Sequence, residues 1–363
     1  MSSGIYRKLQ KQLDQYAVGF PATESGVELR ILQKLFSEED AEVFLQMTLK
    51  PDTAENIARR LNRDPDAVAV HLEKMYERGL IFRVKEGQEV KYGASGFLPG
   101  IWEFQLPTLD RELAELIEEY DKAGFLNAKI EGADLFMRTI PVNQAVEVAH
   151  HVATYEDARE ILRKAKKIAL TECICRKEQK LMGRGCEKDL EVCFMFGHTA
   201  QYYLDRGMAR EIDLEEAFRV LARAQDAGLV TQPSASQNPS GLCNCCGDCC
   251  VVLRALNKHA KPAEKVYSSY FAVVDEELCT GCEACLDRCQ MSAIRMKDEQ
   301  LAVINTDRCI GCGLCVTTCP SGALRLESKP EDQCRKPPAT GRDQASLLAQ
   351  RRGTSLTPLF LEE

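Results

Sequence analysis

The sequence predicts a multidomain α+β chain, and three observations carry that prediction. Residues 25–105 show amphipathic helical patterns followed by a hairpin pattern. Residues 106–262 are rich in helix signals and hold nine of the 18 cysteines. Residues 263–328 contain an eleven-residue cysteine motif twice, each copy flanked by short β-type segments, and residues 329–363 read as an extended tail rich in proline and charge.

The chain has 363 residues, enough for roughly two or three cores. Hydrophobic residues make up 45% and charged residues 28%, an ordinary balance for a globular protein. No stretch approaches the roughly 20 apolar residues of a membrane span, and the polar start MSSGIYRKLQKQLDQY has no signal-peptide core. A cytoplasmic location follows as the expectation, with thiols kept reduced. A net charge of −8 argues against nucleic acid or an anionic membrane as a partner of the whole protein.

In the first segment an amphipathic helix is expected over 27–48 (Leu29, Leu32, Leu35, Phe36, Val43, Phe44, Met47). A second starts at Asp52-Thr53-Ala54-Glu55 and buries Ile57 and Leu61. Asp64-Pro65 begins a third, with Val68, Leu72, Met75 and Tyr76 on its apolar face, and Gly79 ends it. LIFRVKEGQEVKYG then reads as a hairpin turning at Glu86-Gly87. This order resembles a winged-helix domain. The third helix, from which such domains read bases, exposes Asp66, His71, Glu73, Lys74, Glu77 and Arg78. From Gly26 to Ser95, 11 Lys/Arg stand against 13 Asp/Glu, whereas phosphate binding needs an excess of cations. A packing or partner-docking role is expected here, and DNA binding is not.

Further on, Asp110–Tyr120 reads as an acidic helix, and a longer one is expected from Thr154 to Leu170 with Thr154 and Asp157 as its capping pair. His150 and His151 read as structural histidines. Residues 213–230 form a helix boxed by Asp213 and Glu216 and stopped at Gly228. In the tail, Leu356–Leu361 is a candidate docking patch.

The repeat is CTGCEACLDRC (279–289) and CIGCGLCVTTC (309–319), that is, C-x2-C-x2-C-x3-C twice. It closely resembles the bacterial two-[4Fe–4S] ferredoxin module, in which the fourth cysteine of each run serves the other cluster. The resemblance implies two clusters, one held by Cys279, Cys282, Cys285 and Cys319 and one by Cys309, Cys312, Cys315 and Cys289. A pair of zinc knuckles would use two pairs of ligands set further apart. Gly281, Ala284, Gly311 and Gly313 suit close approach of backbone to a cluster. Pro320 follows the last cysteine of the second copy, and Gln290 stands in that place in the first.

The central cysteines form two groups along the chain: Cys173, Cys175, Cys186 and Cys193, then Cys243, Cys245, Cys246, Cys249 and Cys250. The CNCC…CC run after a C-x-C-R stretch resembles a central domain that accompanies ferredoxin modules in poorly characterised iron–sulfur proteins. That resemblance implies a redox-linked partner protein and no substrate. Consecutive side chains diverge, so CNCCGDCC reads as ligands on two faces, or ligands plus a spare redox thiol. A third Fe–S cluster, zinc, and free exchanging thiols all remain open at this point.

No G-x-G-x-x-G follows a strand, and GRGCEK lacks the spacing of a phosphate loop. The expected function is iron–sulfur electron transfer to or from a partner oxidoreductase, as a subunit more than as a stand-alone enzyme. The alternatives are a redox-sensing winged-helix regulator and a cysteine-based reductase acting at the central segment.

Overall fold

The computed structural model describes residues 2–146, 156–298 and 300–361. Several of its helices start where short polar residues cap them. Ser37, Thr53, Asp64, Asp110, Asp157 and Asp213 each accept a backbone N–H in the first turn of the helices Glu38–Leu45, Ala54–Leu61, Pro65–Glu77, Arg111–Tyr120, Ala158–Lys164 and Leu214–Asp226. Each cap satisfies a donor that the helix leaves unpaired. The chain forms two units, residues 1–132 with 345–363, and residues 133–344. The expected segment limits at 105, 262 and 328 lie inside these units.

In the first unit the helix expected over 27–48 is two helices, Val27–Leu35 and Glu38–Leu45. Phe36 is extended, and Ser37 and Asp40 form a reciprocal capping box that starts the chain again in a new direction. The helices Ala54–Leu61 and Pro65–Glu77 follow, and then strands β2 (Phe82–Glu86) and β3 (Glu89–Gly93), joined through Gly87 at φ 66°. With β1 (Asp52–Thr53) they make a three-stranded sheet in the order β1-β3-β2. Leu32, Phe44, Ile57, Leu72 and Met75 are fully buried, whereas Leu61, expected to be buried, is only partly so.

The tail is not simply extended. Thr340 and Asp343 cap each other's backbone N–H groups at the start of a helix, Gly341–Arg352. Arg352 pairs with Asp14 at 2.8 Å. Beyond it, the Leu359 N–H donates to Gln12 at 2.6 Å and the Phe360 carbonyl accepts from Gln46 at 3.0 Å. The Leu356–Leu361 stretch thus lies along its own unit.

The central segment, expected to be mostly helical, carries a sheet beside its helices. Strands β4 (Ile168–Glu172), β5 (Glu191–Phe196), β6 (Ala209–Glu211), β7 (Val230–Pro233) and β8 (Gly241–Cys245) form an antiparallel sheet in the order β6-β4-β5-β8-β7. The helix expected to reach Leu170 ends at Lys164, because Ala165 is extended and the next apolar run enters β4. His150, His151 and Thr154 lie outside the described residues. Leu170, Phe194 and Leu242 of the sheet pack with Val220 and Leu221 of the helix Leu214–Asp226. That helix stops before Gly228, whose φ of +77° suits glycine.

The repeat supplies β9 (Tyr270–Val274), β10 (Ile294–Lys297), β11 (Leu301–Ile304) and β12 (Leu324–Ser328). β9 pairs with β12 and β10 with β11, so strands of the two copies interleave. The cysteine loops between them run as turns, where the expected β-α-β repeat called for helices. Gly281 and Gly311 hold φ values of +67° and +68° there, which favours a tight turn over a helical one. No helix among the described residues is long and apolar enough to cross a membrane.

Candidate metal centres

The interleaved pairing brings the repeat's cysteines together in fours. Cys279, Cys282, Cys285 and Cys319 line one cavity. Cys289, Cys309, Cys312 and Cys315 line a second. In each set three cysteines come from one loop and the fourth from the other copy. A Cβ on Gly281 would stand 2.8 Å from the Gln300 carbonyl, so the first loop needs glycine at its turn.

The two cavities differ in their surroundings. Cys282 is exposed, whereas Cys309 and Cys315 of the second set are buried. The Ala272 N–H donates to Cys309 Sγ at 3.3 Å and the Ala293 N–H to Cys289 Sγ at 3.1 Å. Burial pushes the Cys312 thiol up to about 12 and also raises Cys309 and Cys315. Thiols held that high ionise at neutral pH only when a cation takes the proton's place. Burial opposes ionisation of Cys319 as well, but the Ser321 hydroxyl and the Leu324 and Ala323 N–H groups hold it below the usual thiol value. Four sulfur donors around a closed space suit a [4Fe–4S] cluster.

The fold sorts the nine central cysteines differently from their order along the chain. Period-two alternation puts Cys243 and Cys245 of β8 on one face. Cys193 comes from β5, while Cys173 and Cys250 are the N-caps of the helices Ile174–Leu181 and Val251–Lys258. Together with Cys175 they form a ring of thiols whose ionisation is linked pair by pair, in the order 173, 175, 250, 245, 243, 193 and back to 173. Through this coupling Cys173, Cys243 and Cys250 are held below the usual thiol value, Cys243 at about 6, and Cys175, Cys193 and Cys245 above it. Two helix N-termini pointing into the ring favour negative charge there.

The remaining three stand apart from the ring. The Sγ atoms of Cys186, Cys246 and Cys249 all lie within 4.8 Å of one another. Cys186 therefore leaves the sequence neighbours with which it was grouped. The run CNCCGDCC divides between the two groups, with Cys243, Cys245 and Cys250 in the ring and Cys246 and Cys249 in the trio. All 18 cysteines are free.

One side chain of the site was not singled out from the sequence. Arg176 is fully buried, with Nη1 donating to the Asp189 carbonyl and Nη2 to the Asn244 carbonyl at 3.0 Å and to Cys246 Sγ at 3.9 Å. Among the described residues it has no carboxylate partner, so the sulfurs of Cys173, Cys246 and Cys193 are its countercharge. Its only sequence signal is its place in the C-x-C-R stretch.

Residues 272–326 match the 4Fe-4S dicluster domain family. No curated protein and no solved structure matches the chain. The chain thus carries a ferredoxin-like iron–sulfur module toward its C-terminus.

Proposed function

We propose that the protein is an iron–sulfur electron-transfer protein that exchanges electrons with a partner oxidoreductase. The observation that carries this reading is the pair of four-cysteine cavities inside the segment that matches the dicluster domain. Cys279, Cys282, Cys285 and Cys319 would hold one [4Fe–4S] cluster, and Cys289, Cys309, Cys312 and Cys315 the other. Each cluster supplies a one-electron couple.

The chain's own groups shape the route. Cys282 gives the first cavity an exposed edge where a partner can approach. The N–H bonds to Cys289 and Cys309 stabilise negative charge on the sulfurs of the second cavity. That cavity is also lined by Arg288 and Gln290, which dock the loop on the central sheet domain. Arg288 donates to the Asp226 and Gln225 carbonyls at 2.7 and 3.0 Å, at the C-terminus of a helix where a cation is favoured. The central thiols form an additional metal centre at the far end of this route.

Residues 25–105 are read as a winged helix that docks a protein. Val70 on the helix Pro65–Glu77 is 57% exposed, and Glu73 on the same helix is tied to Arg83 and Tyr92 instead of facing a ligand.

Iron and sulfide analysis of the anaerobically purified chain tests the reading. Two cubane clusters give about eight iron per chain, and reduction gives the spectrum of two interacting [4Fe–4S]⁺ centres. A chain with a single cluster, or with zinc in those cavities, overturns it.

A further inference from the structure

We propose that Cys186, Cys246 and Cys249 hold a single tetrahedral zinc ion whose fourth position is open to a ligand from outside the chain. The inference rests on the reading that the central thiols bind metal, and it adds which thiols, which metal and what coordination.

Spacing is the first argument. Cys186 Sγ lies 3.5 Å from Cys246 Sγ and 3.8 Å from Cys249 Sγ. Zinc–sulfur bonds of about 2.3 Å at tetrahedral angles put neighbouring sulfurs about 3.8 Å apart. A cubane holds each thiolate on a different iron and so spreads its sulfurs further. The repeat's cysteines behave that way: no three of their sulfurs lie within 4.8 Å of one another. The trio instead closes on itself at the size of one ion.

The backbone is built for the same arrangement. Cys246-Gly247-Asp248-Cys249 is a C-x2-C turn, the commonest way to aim two sulfurs at one zinc. Cys186 arrives on a loop through Gly185, at φ +98°, where a Cβ would stand 2.9 Å from Cys249 Sγ. Its N–H donates to Cys249 Sγ at 3.4 Å, as backbone donors do around metal-bound thiolates.

Charge supports the same arrangement. Three thiolates on one divalent ion leave a net charge of −1, and Arg176, buried without a carboxylate, stands 3.9 Å from Cys246 Sγ, sharing its charge with the sulfurs of Cys173 and Cys193.

Coordination is the last. No fourth Cys, His, Asp or Glu of the described residues joins the group at this spacing. Structural zinc sites close with four protein ligands, while sites that bind water or substrate keep one position free. The ring thiols do not complete it, because none of their sulfurs lies within 4.8 Å of all three.

The experiment uses the full chain, purified anaerobically, with metal analysis and zinc K-edge X-ray absorption on one sample. About one zinc per chain is expected, with three sulfur neighbours and one nitrogen or oxygen neighbour. Cys186→Ser should lose the zinc and keep the iron, and Cys250→Ser should keep the zinc. A chain without zinc, a shell of four sulfurs, or loss of iron in Cys186→Ser overturns the proposal. If Cys186→Ser does not fold, the absorption spectrum of the unaltered protein decides. A sample lacking iron refutes the electron-transfer reading, whereas iron without zinc refutes this inference alone.

Discussion

Gln290 Oε1 accepts a hydrogen bond of 2.7 Å from the N–H of Gly247. The Gln290 carbonyl in turn accepts from Asn257 Nδ2 at 3.0 Å. Gln290 follows Cys289 of the second cavity, and Gly247 follows Cys246 of the trio, so the bond is a short bridge between two cysteine sites. The second copy of the repeat has Pro320 in the place of Gln290. The departure in the first copy therefore has a structural role, since its side chain docks one cysteine loop on another.

Gln290→Ala should leave the Gly247 N–H without its partner and cost about 1–3 kcal/mol of stability. Thermal melting measures this, and the iron content should stay unchanged. Gly247→Ala should destabilise as well, because its Cβ would stand 2.6 Å from the Gln290 carbonyl. A Gln290→Ala protein with unaltered melting shows that the bridge contributes nothing to the docking.

Ligand exchange between the two copies has a signature in paired variants. Cys285→Ser and Cys319→Ser should perturb the same cluster spectrum, and Cys289→Ser and Cys315→Ser the other, each with loss of up to about four iron per chain. Electron paramagnetic resonance of the reduced variants distinguishes the pairs. A spectrum in which Cys319→Ser groups with Cys309, Cys312 and Cys315 contradicts the exchange.

The ring can be separated from the trio by adjacent cysteines. Cys245→Ser should alter the same metal as a Cys173→Ser/Cys175→Ser double variant, while Cys246→Ser should alter the metal lost in Cys186→Ser. Metal analysis of the four proteins reads the outcome. If Cys245→Ser and Cys246→Ser remove the same metal, the nine thiols build one site.

Asp40 ties the helix Glu38–Leu45 to its neighbours through Arg78 at 2.7 Å and His71 at 3.0 Å. Burial alone would raise its pKa, but the Ser37 N–H and the Arg78 guanidinium outweigh it and hold the carboxyl below its ordinary 3.8. A folded value below the unfolded one gives stability that is complete above the ordinary value and lost as pH falls through the folded value. Asp40→Asn should cost about 1–3 kcal/mol at neutral pH, with the difference closing below about pH 4. Melting curves of both proteins across pH measure it, and a constant difference would show that Asp40's charge is not the source.

The winged-helix reading predicts weak association with DNA that moderate salt abolishes, because 11 cations face 13 anions between Gly26 and Ser95. Titration of labelled duplexes at two salt concentrations tests this. Tight binding to one defined sequence at physiological salt, changed by cluster oxidation, favours the redox-sensing regulator instead.

The sequence by itself determined what local chemistry determines. Caps at Asp64 and Asp213, the turn at Gly87 and the four short strands of the repeat were legible because each depends on a few adjacent residues. The cysteine spacing likewise identified the kind of module, since a tight loop fixes three sulfurs at once. What depended on distant partners was not legible. The apolar runs at Ile168–Glu172 and Glu191–Phe196 are too short to tell strand from helix by period, and only pairing across the sheet decided them. The break at Ser37 is itself a local cap, but it was hidden inside an apolar pattern that continued on both sides. The partition of nine thiols into a ring and a trio came from tertiary structure, because strand alternation sends Cys243 and Cys245 one way while the turn after them sends Cys246 the other. Sequence proximity groups Cys186 with Cys173, Cys175 and Cys193, but Cys193 lies on β5, which pairs with β8, and the loop at Gly185 carries Cys186 to Cys246 and Cys249.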